Sequence, residues 1–199
     1  MKADWYRTRR FVLCAPTGLD EVSAFATSLG WEKTAEGPAD PEKGTGRWVI
    51  WRALDIAELH YMEEVIFDTA YYVLTGQEPR IVDALADRAQ EALEPWDIGE
   101  LVEAFDEAEN SKRRTTSAVL LALSAGYGFD EQIFTRVVAL LENPDAAIRG
   151  VGVSAALYAG YHELRSHVQA IAEDDPDEGV RANAASVLDQ IEPSEEAKP

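Results

Sequence analysis

Two stretches of this chain are one pattern written twice. Asn143-Pro144-Asp145-Ala146-Ala147-Ile148-Arg149 lies over Asp175-Pro176-Asp177-Glu178-Gly179-Val180-Arg181 at an offset of 32. Proline matches proline, aspartate matches aspartate, a β-branched residue matches another, and arginine matches arginine. Further on, Ser154-Ala155-Ala156 falls on Ser186-Val187-Leu188. The apolar residues before each copy align at an offset one shorter, Val137 on Val168, Leu140 on Ile171 and Leu141 on Ala172. The odd residue falls in the link, where insertion is cheapest.

Each position has a physical task. Pro144 and Pro176 end one helix, because proline cannot continue it cleanly. Asp145 and Asp177 accept backbone N–H groups at the start of the next and sit at its positive end. Ile148 and Val180 are expected in the seam between helices. Arg149 and Arg181 lie four residues after the aspartate on the same face, so each is expected to pair with its own aspartate. Small residues such as Gly150, Gly152, Ala155, Ala182 and Ala184 let helices approach closely.

From Asp97 onward only helix spacing is found, in six stripes. They begin at Ile98, Ala118, Ile133, Ile148, Leu164 and Val180, and six helices of about 11 to 15 residues make three helical hairpins. The repeated Pro-Asp-x-x-β-branched-Arg, followed by an alanine-rich helix, resembles HEAT repeats. The two matching copies are 130–162 and 163–192. A degenerate first copy, 97–129, rests on helix spacing alone: the register of Pro144 falls on Lys112 and that of Arg149 on Ser117. The whole chain is similar to bacterial HEAT-repeat proteins that carry a small α+β domain ahead of the repeats. The resemblance implies an armadillo-like helical solenoid over 97–192. Residues 193–199 are expected to be a disordered polar tail.

The first half mixes strand and helix signals. Strands are expected at Phe11–Cys14, Trp48–Trp51, Leu59–Met62 and Ala70–Leu74, with a helix over Asp55–Glu64 as a competing reading. Leu19–Leu29 has helix spacing and stops at Gly30, and Pro79 opens a second helix. The Gly-, Pro- and charge-rich stretch from Glu36 to Gly46 reads as a mobile surface loop. Residues 1–95 are therefore expected to form an α+β domain, an antiparallel sheet with helices on one face, in the order β-α-β-β-β-α.

The chain has 18 Lys+Arg against 37 Asp+Glu, a net charge of -19. Such a field repels phosphates, so nucleic acid and anionic membrane are not expected as partners, whereas a basic protein is. Residues 97–199 contribute 20 acidic and 8 basic side chains to it. A lone cysteine, Cys14, excludes an intrachain disulfide. It is expected to be inert in an apolar strand and fits a reducing cytoplasm. No apolar run reaches the length of a signal peptide or a membrane span.

The sequence holds little that points to chemistry. His162 and His167 are five apart, about 140° around a helix, which is wrong for two ligands of one metal. Glu58, His60 and Met62 would share a face of a strand, with Glu63 and Glu64 nearby. Glu58 and His60 are candidates for ligand or proton binding, against the simpler reading of a solvated sheet face. Lys112-Arg113-Arg114 is the one dense basic cluster. It would dock an acidic partner or pair with Glu103, Asp106, Glu107 and Glu109. No catalytic, cofactor-binding or metal-binding residue is assigned, and no cofactor is expected.

The leading expectation is a non-catalytic protein-binding module, an adaptor or scaffold. In one form it is an immunity or antitoxin-like inhibitor of a basic toxin such as a nuclease. The alternative is an enzyme, or a ligand-sensing regulator, with its site in the N-terminal domain. HEAT-like lyases acting on tetrapyrrole chromophores set the precedent. HEAT-like DNA glycosylases need a cationic groove that this composition opposes.

Overall fold

The computed structural model describes residues 5–40, 42, 45–65, 67–126 and 128–191. The chain divides into two compact units at the Trp96/Asp97 boundary.

In the first unit six strands form one antiparallel sheet: β1 (Tyr6–Arg7), β2 (Phe11–Val12), β3 (Glu32–Gly37), β4 (Trp48–Ala53), β5 (Ala57–Glu64) and β6 (Thr69–Gly76). The order is β1-β6-β5-β4-β3, and β2 also pairs with β6. β1 and β2 are two pieces of one broken edge. Thr8 bridges the gap, donating its N–H to the Leu74 carbonyl and accepting the Leu74 N–H on its hydroxyl.

Two helices, α1 (Leu19–Ser28) and α2 (Pro79–Leu93), contribute Val22, Phe25, Ala26, Val82, Ala86, Ala89 and Leu93 to one core. The sheet contributes Val49, Trp51, Leu59, Tyr61, Tyr72 and Leu74, alternate residues that the pleat sends to a single face. Pro79 opens α2, where its missing N–H costs nothing. At Gly30, just past α1, φ is +71°, a torsion glycine adopts without a steric cost.

Several expectations are corrected. Glu36 and Gly37 end strand β3, which begins at Glu32, and Asp40 and Thr45 form a bridge, so the expected loop is partly paired. Pro41, Lys43 and Gly44 lie outside the described residues, as does the 193–199 tail. β2 stops at Val12, leaving half-buried Cys14 beyond it. Asp55–Glu64 is a turn followed by β5, so the strand reading holds over the helical one.

The second unit, over its described residues, is helical: α3 (Ile98–Asp106), α4 (Ser111–Ser124), α5 (Glu131–Leu141), α6 (Ala146–Ala159), α7 (Arg165–Asp174) and α8 (Glu178–Leu188), with a short 3-10 turn at His162–Leu164. α3 and α7 are shorter than expected, at 9 and 10 residues. Consecutive helices pack in pairs, α3 with α4, α5 with α6 and α7 with α8. The second helices also pack on one another, α4 on α6 and α6 on α8, far more extensively than the first helices do. Leu101, Leu121, Ile133, Val153, Leu164 and Val180 are among the buried residues. Among the described residues no helix is long and apolar enough to cross a membrane.

Candidate functional site

Three groups of residues were singled out by sequence. The structure gives each a different role.

The repeat positions span each link and the first turn of the helix that follows it. Asp145 caps α6 by accepting the Ala147 N–H at 2.8 Å, and Asp177 caps α8 by accepting the Val180 N–H at 3.0 Å. Pro144 and Pro176 lie in the bends just before these caps, Val180 is buried, and Ile148 is half-buried. The arginines do not pair with their own aspartates. Arg149 reaches across to Asp175, its Nε 2.6 Å from Oδ2 and one terminal nitrogen 2.8 Å from Oδ1. Its other terminal nitrogen donates to the Asn143 and Pro144 carbonyls, both at 2.9 Å. Arg181 likewise donates to the Asp175 carbonyl. Each capping aspartate turns its Oδ1 to the helix end, while the guanidinium turns to the carbonyls of the link, which lack a helical partner.

Asn143 and Asp175 are equivalent, and each accepts the backbone N–H of the capping aspartate two residues on. Asp175 is therefore a hub. Its side chain is 3% exposed and holds Arg149 and the Asp177 N–H together. Hydrogen bonds from Arg149 hold its carboxyl below the usual carboxylate range, against the cost of burial.

The same device occurs in the first helical pair, at another register. Asn110 caps α4 by accepting the Arg113 N–H at 3.0 Å. Four residues on, Arg114 donates to the Ala108 carbonyl. That carbonyl lies two residues before the cap, as do those of Asn143 and Asp175. Aligned on the caps, the first copy is displaced by 35, and the repeated arginine falls on Arg114 rather than Ser117. Arg114 also lies over the Phe105 ring, 5.6 Å from its centre. Asp106 pairs with Arg136 of α5 at 2.5 Å, not with the basic cluster. Lys112 and Arg113 are exposed at the start of α4.

The third group lies on the face of the sheet away from α1 and α2. Arg52 and Glu58 are opposite each other in register, as are Glu58 and Thr75. Arg52 donates Nε and a terminal nitrogen to Glu58 Oε1 at 2.9 and 2.5 Å. His60 Nε2 lies 3.2 Å from Glu58 Oε2 and 3.1 Å from the Thr75 hydroxyl. Glu58 is 5% exposed, so this end of the face is not the expected solvated one. Alternation in the sequence placed these residues together. What it did not contain was the cross-strand shielding by Arg52 and Thr75.

This cluster is closed rather than poised. Both Glu58 oxygens are engaged, and burial lowers the His60 pKa more than the Glu58 carboxylate raises it. Neutral His60 has consequences for stability. Between its folded pKa and the ordinary imidazole value of about 6.5, the unfolded chain binds more protons than the folded one. Stability is thus expected to fall as pH drops through about 6.5 toward the folded value. Urea titrations at stepped pH should show that slope in the wild type and lose it in His60→Gln. An equal slope in both proteins would place the pH dependence elsewhere.

The clefts of this unit that are lined by described residues include two near its helices. One lies between the β5–β6 turn and the start of α1, lined by Tyr61, Glu63, Glu64 and Asp68. There burial, with Glu63 beside it, pushes the Tyr61 hydroxyl up to about 12. The other lies between β1 and α2, lined by Tyr6, Arg9, Asp83 and Asp87. His60 lines neither. Among the described residues, no three His, Cys, Asp or Glu side chains are grouped to hold a metal ion. Comparison with protein-family models, with curated proteins and with solved structures returns no match for this chain.

Proposed function

We propose that the helical half is a HEAT-like solenoid and that the protein works without catalysis, as an adaptor or scaffold that binds a basic protein. The observation that carries this reading is the thrice-repeated arginine. Arg114, Arg149 and Arg181 each tie down the link before their own helix, and Arg149 continues into the next pair through Asp175. Pairs tied chiefly to their neighbours favour an extended surface over an enclosed pocket.

Charge supports the nature of the partner. With 20 acidic against 8 basic residues over 97–199, a cationic surface would be steered in and held at the rim. An immunity-type inhibitor of a basic toxin is the most specific form of this reading, acting in the cytoplasm where Cys14 stays reduced.

The test is affinity capture from the native host with the full chain as bait, across a salt series. A discrete basic protein is expected at low salt, with its dissociation constant rising steeply as salt is added. Recovery of nothing at any salt, or of an acidic partner insensitive to salt, would overturn the reading.

A further inference from the structure

The turn between β4 and β5 displays what a soluble domain ordinarily hides. Ala53 and Ala57 pair across the hairpin, leaving Leu54, Asp55 and Ile56 as its tip. Leu54 is 82% exposed and Ile56 is 44% exposed. Leu54 also has φ of +50°, the left-handed region where glycine or asparagine is usual and a larger side chain crowds the following carbonyl. A leucine there gains nothing from burial and strains the backbone.

The tip is braced. The Gln77 N–H donates to the Ile56 carbonyl at 3.4 Å, and the Gln77 side-chain amide donates to the Asp55 carbonyl at 3.3 Å. Gly76, beside them, has no room for a side chain: a Cβ would lie 2.6 Å from the Ile56 oxygen and 2.7 Å from Val82. The first turn of α2 therefore sits against the hairpin tip, and it brings Ile81, 43% exposed, to the same end of the unit. Among the described residues, the exposed charged side chains of these two segments are the carboxylates Asp55, Glu78 and Asp83, the last accepting the Tyr6 hydroxyl, and the guanidinium Arg80.

We propose that this end of the N-terminal unit is a docking knob, and that its occupant is a protein with an apolar notch rimmed by lysine or arginine. The braced backbone lowers the ordering cost of binding, and the leucine supplies the anchor. The acidic rim selects the cationic notch. A second copy of this chain would bring the same carboxylates to the same rim, under a net charge of -19 on each molecule. The inference concerns a different unit from the proposed solenoid and stands without it.

The probe is a helical peptide with a leucine stripe flanked by lysines, titrated into the isotope-labelled full chain. The control is the same peptide with serines for leucines. Amide shifts are expected to concentrate on residues 54–57 and 77–81, and the leucine peptide to bind about tenfold more tightly than the control. Leu54→Ser with Ile81→Ser should erase that difference. Leu54→Gly should weaken leucine-peptide binding with a melting temperature equal to or above that of the wild type, which separates display from folding. Equal binding of the two peptides would overturn the proposal, as would shifts confined to the helical half, a result that leaves the solenoid reading intact. Self-association of the wild type that is lost in Leu54→Ser would make the occupant a second copy and overturn it as well.

Discussion

Asp175→Ala is expected to lower the stability of the helical half by about 2 kcal/mol, the scale of losing hydrogen bonds to a charged group in a shielded site. Three bonds vanish together: two from Arg149, at 2.6 and 2.8 Å, and one from the Asp177 N–H at 2.9 Å. The Asp175 side chain is 3% exposed and that of Arg149 is 11% exposed, so water does not readily replace what is lost. Asp175→Asn should cost clearly less. Asparagine is what the preceding link already uses, and Asn143 accepts the Asp145 N–H there through its side chain. The acid limb of stability should change too. The wild-type carboxyl titrates below the usual carboxylate range, so its contribution is present above the unfolded value of about 3.9 and is lost as pH falls through the folded value. Both alanine and asparagine should remove that acid-side loss. Denaturant unfolding followed by helical ellipticity measures all of this. An alanine variant as stable as the wild type would mean that the helical pairs are not joined through this residue.

The hub explains what could be read from the sequence and what could not. The two later copies stood out because proline, aspartate and arginine recur at a fixed offset, and each has a task that few other residues perform. The first copy did not, since asparagine replaces aspartate at the cap and the displacement is 35 rather than 32. The arginine was present at Arg114, but reading it required knowing where α4 begins. Spacing also suggested the wrong partner for Arg149. Four residues along a helix bring two side chains onto one face, yet the capping aspartate points its Oδ1 at a backbone N–H of the helix end. The acceptors that the arginine takes are the carbonyls of the link and Asp175.

In the N-terminal half, β4, β5 and β6 were visible through their aromatic and β-branched residues. β3, Glu-Lys-Thr-Ala-Glu-Gly, was not. It is an edge strand whose residues are mostly exposed, so its place comes from backbone pairing with β4 rather than from any apolar alternation. Its glycine is explained only in three dimensions, because a Cβ at Gly37 would fall 2.3 Å from the Trp48 indole nitrogen. The Leu54 turn was unreadable for a similar reason. It lacks the Gly or Asn that marks a left-handed position.

Two glycines two residues apart in α6 should respond to the same substitution with opposite signs. At Gly152 a Cβ would lie 2.9 Å from the Leu141 nitrogen and 3.0 Å from the Leu140 carbonyl carbon, both backbone atoms of α5 that cannot swing aside. Gly152→Ala must push α5 and α6 apart. It is expected to cost about 1–3 kcal/mol, the range for overpacking a close contact, and Gly152→Leu more. At Gly150 the nearest atom to a Cβ is Val180 Cγ2 at 4.0 Å, an ordinary contact. Gly150→Ala should therefore stabilise by about 0.5–1 kcal/mol, because alanine loses less backbone freedom than glycine on entering a helix. The position seven after the cap is small and buried in all three pairs, as Ser117, Gly152 and Ala184. A small residue is thus common to the three pairs, but Ser117 and Ala184 each carry a Cβ, so the exclusion of a Cβ is particular to Gly152, where α5 comes closest. Thermal melts of the two alanine variants, side by side, decide it. A Gly152→Ala variant that melts with Gly150→Ala, above the wild type, would show that α5 and α6 do not pack as closely as this geometry requires.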